Sequence, residues 1–259
     1  QTVVTEAEIV IDNDVILDGE GHLTVDGRER HRQVLSVQDG VSTELHALTI
    51  GGAYDFFGGA GIANEGTLTL IGAKITRNGG AGLRNEGVVI IIESTVSNNT
   101  EGGIDNRCGA TLALIGGEVS RNQNATDGFM PVLGGGIDNA GTMTIVNSTV
   151  STNQALALDE AYGGGIANSG WISLVNSTIS GNVADGATAV AFRYDRFCPT
   201  RGPYLQAVGT LIDGDCGSYE DDGAEATWVS NGHNIESPGD TCGFDQATDQ
   251  VSVTAEQLN

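Results

Sequence analysis

Three residues of this 259-residue chain have the types and spacing to act together on a bond. Arg84, Asp105 and Asp138 each follow Ile or Leu and precede Asn, in the triplets Leu83-Arg84-Asn85, Ile104-Asp105-Asn106 and Ile137-Asp138-Asn139. If those triplets stack as adjacent strands, the two carboxylates lie about 5 Å apart. Carboxylates that close cannot both ionise freely, so one pKa rises. A pair at ~5 Å suits a retaining glycosidase and one at ~6.5–9.5 Å an inverting one, with Arg84 orienting the pair or the substrate. The plainer alternative is an Arg84–Asp105 ion pair on a solvated wall, worth under about 1 kcal/mol. A lyase would instead need a base and a cation to neutralise a uronate. Arg77, Arg84, Arg107, Arg121 and the sole lysine, Lys74, lie near the same turns.

Aromatic residues supply the second set of candidates. Trp171 stands at the head of an alternating stretch, and Phe192 to Tyr204 (FRYDRFCPTRGPY) holds four aromatics and three arginines. Solvent-facing aromatics are platforms for sugar rings, which makes Trp171, Phe129, Tyr162 and Tyr194 the expected substrate-binding residues. The alternative for Phe192 to Tyr204 is a packed loop covering one flank, pinned by Cys198. Oxygen ligands for Ca²⁺ are conceivable at Glu220, Asp221 and Asp222 with Asp213 and Asp215, but no recognised spacing distinguishes them from a solvated acidic loop. His46 and His233 read as structural.

The elements that position these residues come from an internal repeat. Five segments align: Gly59 to Asn78, Ala81 to Asn99, Gly102 to Asn122, Gly135 to Asn153 and Gly164 to Asn182. Each runs Gly-(Ile/Leu)-x-Asn, a short alternating stretch, a second short stretch such as STVS, and a closing Asn. The Asn-to-Asn distance is 14 residues in four of them and 16 in the third. A unit of about 21 residues cannot bury its own apolar face and must stack on its neighbours. With no 3.6-residue periodicity, the return path is itself strand and turn. Successive units then pair in parallel, with the right-handed hand expected of parallel connections. The chain is therefore expected to be all-β, a right-handed parallel β-helix of about nine to ten coils.

Alternation assigns the faces. Ile62, Leu83, Ile104, Ile137 and Ile166 point inward, as do the columns beginning at Leu68, Leu70 and Ile75. Asn64, Asn85, Asn106, Asn139 and Asn168 fall at one turn, and Asn78, Asn99, Asn122, Asn153 and Asn182 at another. There amides can stack on their own kind. The Asn-x-Ser/Thr matches at Asn147 and Asn176 are repeat positions rather than glycosylation signals. Two insertions, Gln123 to Leu133 and Gln154 to Tyr162, leave the stack just before Asp138 and Ala167 and could wall a groove. Both carry acidic or aromatic residues, among them Asp127, Asp159 and Glu160.

Composition sets outer bounds. Thirty-four acidic against eleven basic residues give a net charge of −23, which excludes nucleic acid as a natural partner and argues against an anionic membrane surface. No apolar run approaches the ~18 residues of a membrane-crossing helix, so no membrane insertion by this chain is expected. Four widely spaced cysteines suit two disulfides in an oxidising compartment, or else four buried thiols. A start at Gln1 fits a mature chain whose signal peptide has been removed, or a trimmed one.

The GGGI-x-N…(V/I)-S-x-N repeat resembles that of secreted bacterial β-helix proteins of the choice-of-anchor type. It is similar also to the repeats of polymorphic outer-membrane adhesins, with Val or Ile here in place of Phe, within the pectin-lyase-like superfamily. The ending GTLIDGDCG…GHNIESPGDTCGF looks like the closing coils of the first group. That likeness implies a Cys216–Cys242 disulfide and leaves Cys108 with Cys198. The likeness covers most of the chain from about Leu17, and the repeats themselves give a single β-helix domain over 1–259, with regular coils at about 59–182, looser coils at 1–58, an irregular loop at 183–204 and closing coils at 205–259 that the likeness makes disulfide-linked. The catalytic signatures of the superfamily's lyases, hydrolases and epimerases are not evident, so no catalytic residue carries over. The resulting expectation is a secreted or cell-surface protein that recognises polysaccharide or another extracellular polymer along its flank. The alternative is a polysaccharide hydrolase or lyase using Asp105, Asp138 and Arg84, with Ca²⁺ the one cofactor to consider.

Overall fold

The computed structural model of the protein describes residues 1–28, 33–54, 59–125, 131–158, 160–193, 198, 202–218, 226–254 and 256–258. Among them every element is a strand, and every pairing between strands is parallel, as stacked coils require. One nine-stranded sheet forms the first wall. It runs from Ile9–Ile11 through Ala81–Asn85, Ile104–Asn106 and Ile137–Asn139 to Cys216–Ser218. A 17-stranded sheet bends into the second and third walls. The second includes Thr67–Ile71, Val88–Ile92, Thr111–Ile115, Thr142–Val146, Trp171–Val175 and Tyr204–Val208. The third includes Lys74–Thr76, Thr95–Ser97, Glu118–Ser120, Thr149–Ser151 and Thr178–Ser180. The protein is a parallel β-helix.

Register shows why the sequence stacks this way. Leu68 lies beside Val89, Val89 beside Leu112, Leu112 beside Met143 and Met143 beside Ile172, and all are fully buried. Each such side chain withdrawn from water contributes about 1.5–3 kcal/mol. The corners carry the polar half of the code. At the first, Asn64, Asn85, Asn106 and Asn139 each pass a side-chain N–H to the amide oxygen of the next in a row that ends at Asn168, at 2.7–2.8 Å. At the second, Asn78, Asn99, Asn122 and Asn153 do the same in a row that ends at Asn182, at 2.9–3.0 Å. The third corner carries a serine column instead: the Ala73 N–H donates to Ser94 Oγ, Gly117 N–H to Ser148 Oγ and Ser148 N–H to Ser177 Oγ.

Two departures from regular coiling bear on function. The insertions pair with each other, Gln123–Ala125 with Gln154–Leu156 and Val132–Leu133 with Ala161–Tyr162. They enclose a small second core of Val132, Ala155 and Ala161. Residues 183–204 also contribute a full coil strand, Val190–Phe192, in register with Ile166–Asn168. The repeat signal vanishes there because Phe192 occupies the slot that asparagine holds in the five preceding coils. That ring is buried and meets Trp228 edge-on at 4.2 Å.

Candidate functional site

The outward row of the first wall reads Ala63, Arg84, Asp105, Asp138, Ala167, Ala191 along the stack, each opposite the next. Asp105 and Asp138 therefore occupy adjacent parallel strands, which pack about 4.8 Å apart. Each carboxylate is already engaged. Asp105 takes Arg107 Nε at 2.8 Å and Arg84 Nε at 3.5 Å. Asp138 takes one Nη of Arg193 on both oxygens, at 3.0 and 3.1 Å.

Arg193 arrives from the off-repeat segment, 55 residues further along the chain. It follows Val190–Phe192 and reaches back past Ala167. Cys198 continues in that direction: its sulfur is bonded to Cys108 and its residue is buried against the Ala140 carbonyl. The Cys108–Cys198 disulfide thus straps this segment across the corner beside the two aspartates. A second disulfide joins Cys216 to Cys242 in the closing coils.

The strap changes the electrostatics of the pair. Burial pushes Asp138 up from 3.8 to about 6. The Arg193 charge pulls in the opposite direction, and the neighbouring Asp105 charge adds to the rise. A carboxyl near 6 is in the range where a protein acid can both hold and release a proton at neutral pH. Three guanidiniums around two carboxylates make a locally positive island on a chain of net charge −23.

The structure separates the aromatic candidates. Trp171 heads its strand on the second wall, 36% exposed, in register with Tyr204 on the next coil. Their rings stack at 5.5 Å with planes 3° apart. Tyr162 lies on the paired insertions, its ring against Gly186, and does not join them. Phe129 and Tyr194 fall outside the described residues, as do Asp127, Asp159, Glu220, Asp221 and Asp222. Asp213 sits in the strand Leu211–Asp213, and Asp215 takes part in the following turn. Among the described residues no group of three or more His, Cys, Asp or Glu side chains converges as metal ligands.

Two participants escaped the sequence reading. Arg193 lies where the repeat is lost, and its only signal is its place directly after the displaced ladder slot at Phe192. Tyr204 pairs with Trp171 across 33 residues of broken period.

No family model matches the chain, and no curated protein does. Among solved structures it is similar to the Dettilon tailspike protein, at 12% sequence identity and a TM-score of 0.33. The match takes in 98% of this chain and 60% of the tailspike chain. No helix among the described residues is long and apolar enough to cross a membrane.

Proposed function

We propose that the protein is an extracellular β-helix that binds a neutral polysaccharide along its second wall. The observation that carries this reading is the outward Trp171–Tyr204 stack on a wall whose six consecutive strands hold no charged residue. Those strands are TLTLI, VVIII, TLALI, TMTIV, WISLV and YLQAV. On a chain of −23, six uncharged strands in succession mark the face least hostile to a neutral polymer. Because the two rings cover one another, the free face of Trp171 is turned toward the neighbouring coil, where Thr142 is short and exposed. An aromatic face beside a hydroxyl suits a sugar ring, with its apolar face and polar rim. The two disulfides accord with an oxidising, extracellular setting.

The test is titration of the protein against a panel of neutral oligosaccharides, with Trp171→Ala as the probe. Binding should weaken about tenfold in the variant, the equivalent of losing one good ring contact. Binding that is identical in wild type and variant would defeat the assignment of this wall.

The raised pKa of Asp138 favours a second reading, glycoside hydrolysis with Asp138 as the proton donor, Asp105 as its partner and Arg84 as an orienting cation. Asp138→Asn would then abolish turnover while leaving binding intact. Absence of turnover across the same panel would dismiss it.

A further inference from the structure

A separate hollow of about 640 Å³ opens at the N-terminal edge of the third wall, within the range of small-ligand sites. Two glycines let neighbouring coils approach closely at its edge. Gly51 and Gly52 form part of its lining, and a Cβ at Gly51 would meet the Thr76 carbonyl at 2.4 Å. Gly52, in the left-handed region at φ 77°, lies between two arginine-bearing turns. It stands beside the Arg28 backbone on one side, and on the other its N–H donates to the Arg77 carbonyl. Two coils separate the arginines, about 9.6 Å at the usual strand spacing, a gap that their side chains reach across.

The lining is rich in donors that have no protein partner. Among the described residues, the guanidiniums of Arg28 and Arg77 make no ion pair, whereas Arg84, Arg107 and Arg193 all do. Thr2, Thr24 and Thr49 stand in one register row, which continues at Lys74, and Thr76, two residues beyond Lys74, also lines the hollow. None of the four hydroxyls is hydrogen-bonded to protein. Asp26 is the only carboxylate of the lining among the described residues, and one of its oxygens already accepts the Arg28 backbone N–H. With acidic residues outnumbering basic ones by 34 to 11, two guanidiniums left unpaired around one hollow are a notable concentration of free positive charge.

We propose that this hollow is a site for a tetrahedral oxyanion, held between Arg28 and Arg77 and hydrogen-bonded by the threonine row. Donors on opposite sides suit a group that presents oxygens in several directions, and guanidinium forks match it geometrically. The net charge repels a polyanion, so the ligand is a free sulfate-like ion or an isolated sulfate ester on an otherwise neutral sugar.

Amide-shift titrations with sodium sulfate, galactose 6-sulfate and galactose at physiological ionic strength test this directly, read at the Gly51 and Gly52 N–H groups. Both sulfate probes, or the ester alone, should shift these signals saturably, and galactose should not. Saturation by free sulfate marks the ion as the ligand; response to the ester alone marks the substituent. The double variant Arg28→Gln, Arg77→Gln should bind at least about tenfold more weakly, as expected when two charge-assisted contacts go. Thr49→Val should show a smaller loss, and Arg121→Gln, an arginine away from the hollow that makes no ion pair among the described residues, none. Equal binding by the double variant and wild type overturns the proposal, as does an equal loss in Arg121→Gln. Trp171→Ala should leave this titration unchanged, so a failure of the neutral-glycan reading is seen separately.

Discussion

Replacing Asn122 with alanine tests the corner ladders quantitatively. The Asn122 side chain is fully buried and makes four hydrogen bonds. Its Oδ1 accepts the Asn99 backbone N–H at 3.1 Å and the Asn99 Nδ2 at 2.9 Å. Its Nδ2 donates to the Val96 carbonyl and to Asn153 Oδ1, both at 3.0 Å. At about 1 kcal/mol net for each bond, Asn122→Ala should cost about 4 kcal/mol. For a chain of this size that lowers the melting temperature by about 8–16 °C. Asn122→Asp sharpens the argument. The carboxylate can still accept from Asn99 but faces two acceptors it cannot donate to, so its folded-state pKa must lie above the unfolded value of about 3.9. The folded state then holds the proton more tightly, and stability is lost as pH rises through the folded pKa. Urea unfolding followed by far-UV circular dichroism should therefore show a larger deficit for Asn122→Asp at pH 8 than at pH 4. An alanine variant within about 1 kcal/mol of wild type, or an aspartate deficit independent of pH, would refute the claim that these bonds stabilise the stack.

Three further outcomes are expected. Asp138 has its folded value raised from 3.8 to about 6, so its contribution to stability is complete below pH 3.8 and declines toward pH 6. Arg193→Gln should deepen that decline by about 1.5–3 kcal/mol at pH 8 and have little effect at pH 4, measured as the difference from wild type in urea melts. Removing the Cys108–Cys198 link, which spans 90 residues, should cost about 4.6 kcal/mol by loop entropy. Removing Cys216–Cys242, which spans 26, should cost about 3.5 kcal/mol, and denaturation of the paired Cys→Ser variants reads both. Gly170→Ala places a Cβ 2.0 Å from the Gly141 carbonyl of the previous coil and should destabilise by about 3 kcal/mol. Gly72→Ala meets nothing within 4 Å and should cost only about 1 kcal/mol for its φ of 60° in the same thermal melts.

The coils were legible because a solenoid repeats its burial pattern. Leu68, Val89 and Leu112 advertise one inward column, and Asn85 to Asn106 one corner, by type and interval alone. The register of Asp105 with Asp138 followed from the same alignment. What could not be read is whatever depends on chain that leaves the period. Arg193 reaches Asp138 from the end of the strand Val190–Phe192, whose register with Ile166–Asn168 lies in a stretch where the repeat is lost, so no spacing in the sequence encodes that contact. Tyr204 likewise reaches Trp171 through a stretch with no recurring asparagine. The N-terminal hollow is lined by Gly51 and Gly52 together with Arg28 and Arg77, in coils whose repeat is too loose to align.

The asparagine ladders have a direction. In both columns each amide but the last hands one side-chain hydrogen to the amide of the coil that follows; the second column opens with the Ala53 N–H received by Asn78 Oδ1 and closes with Asn182 Nδ2 turned back to the Val150 carbonyl of the coil before. In the first column Asn64 Oδ1 is left buried with no donor, while Asn168 Nδ2 finds carbonyls at the far end. Dipoles aligned head to tail reinforce one another. The β-helix therefore has an electrical polarity along its axis, with carbonyl oxygen at the N-terminal end of each column and N–H at the other. Asn78, where the second column begins, is the immediate neighbour of Arg77, so this polarity favours a cation beside the N-terminal hollow.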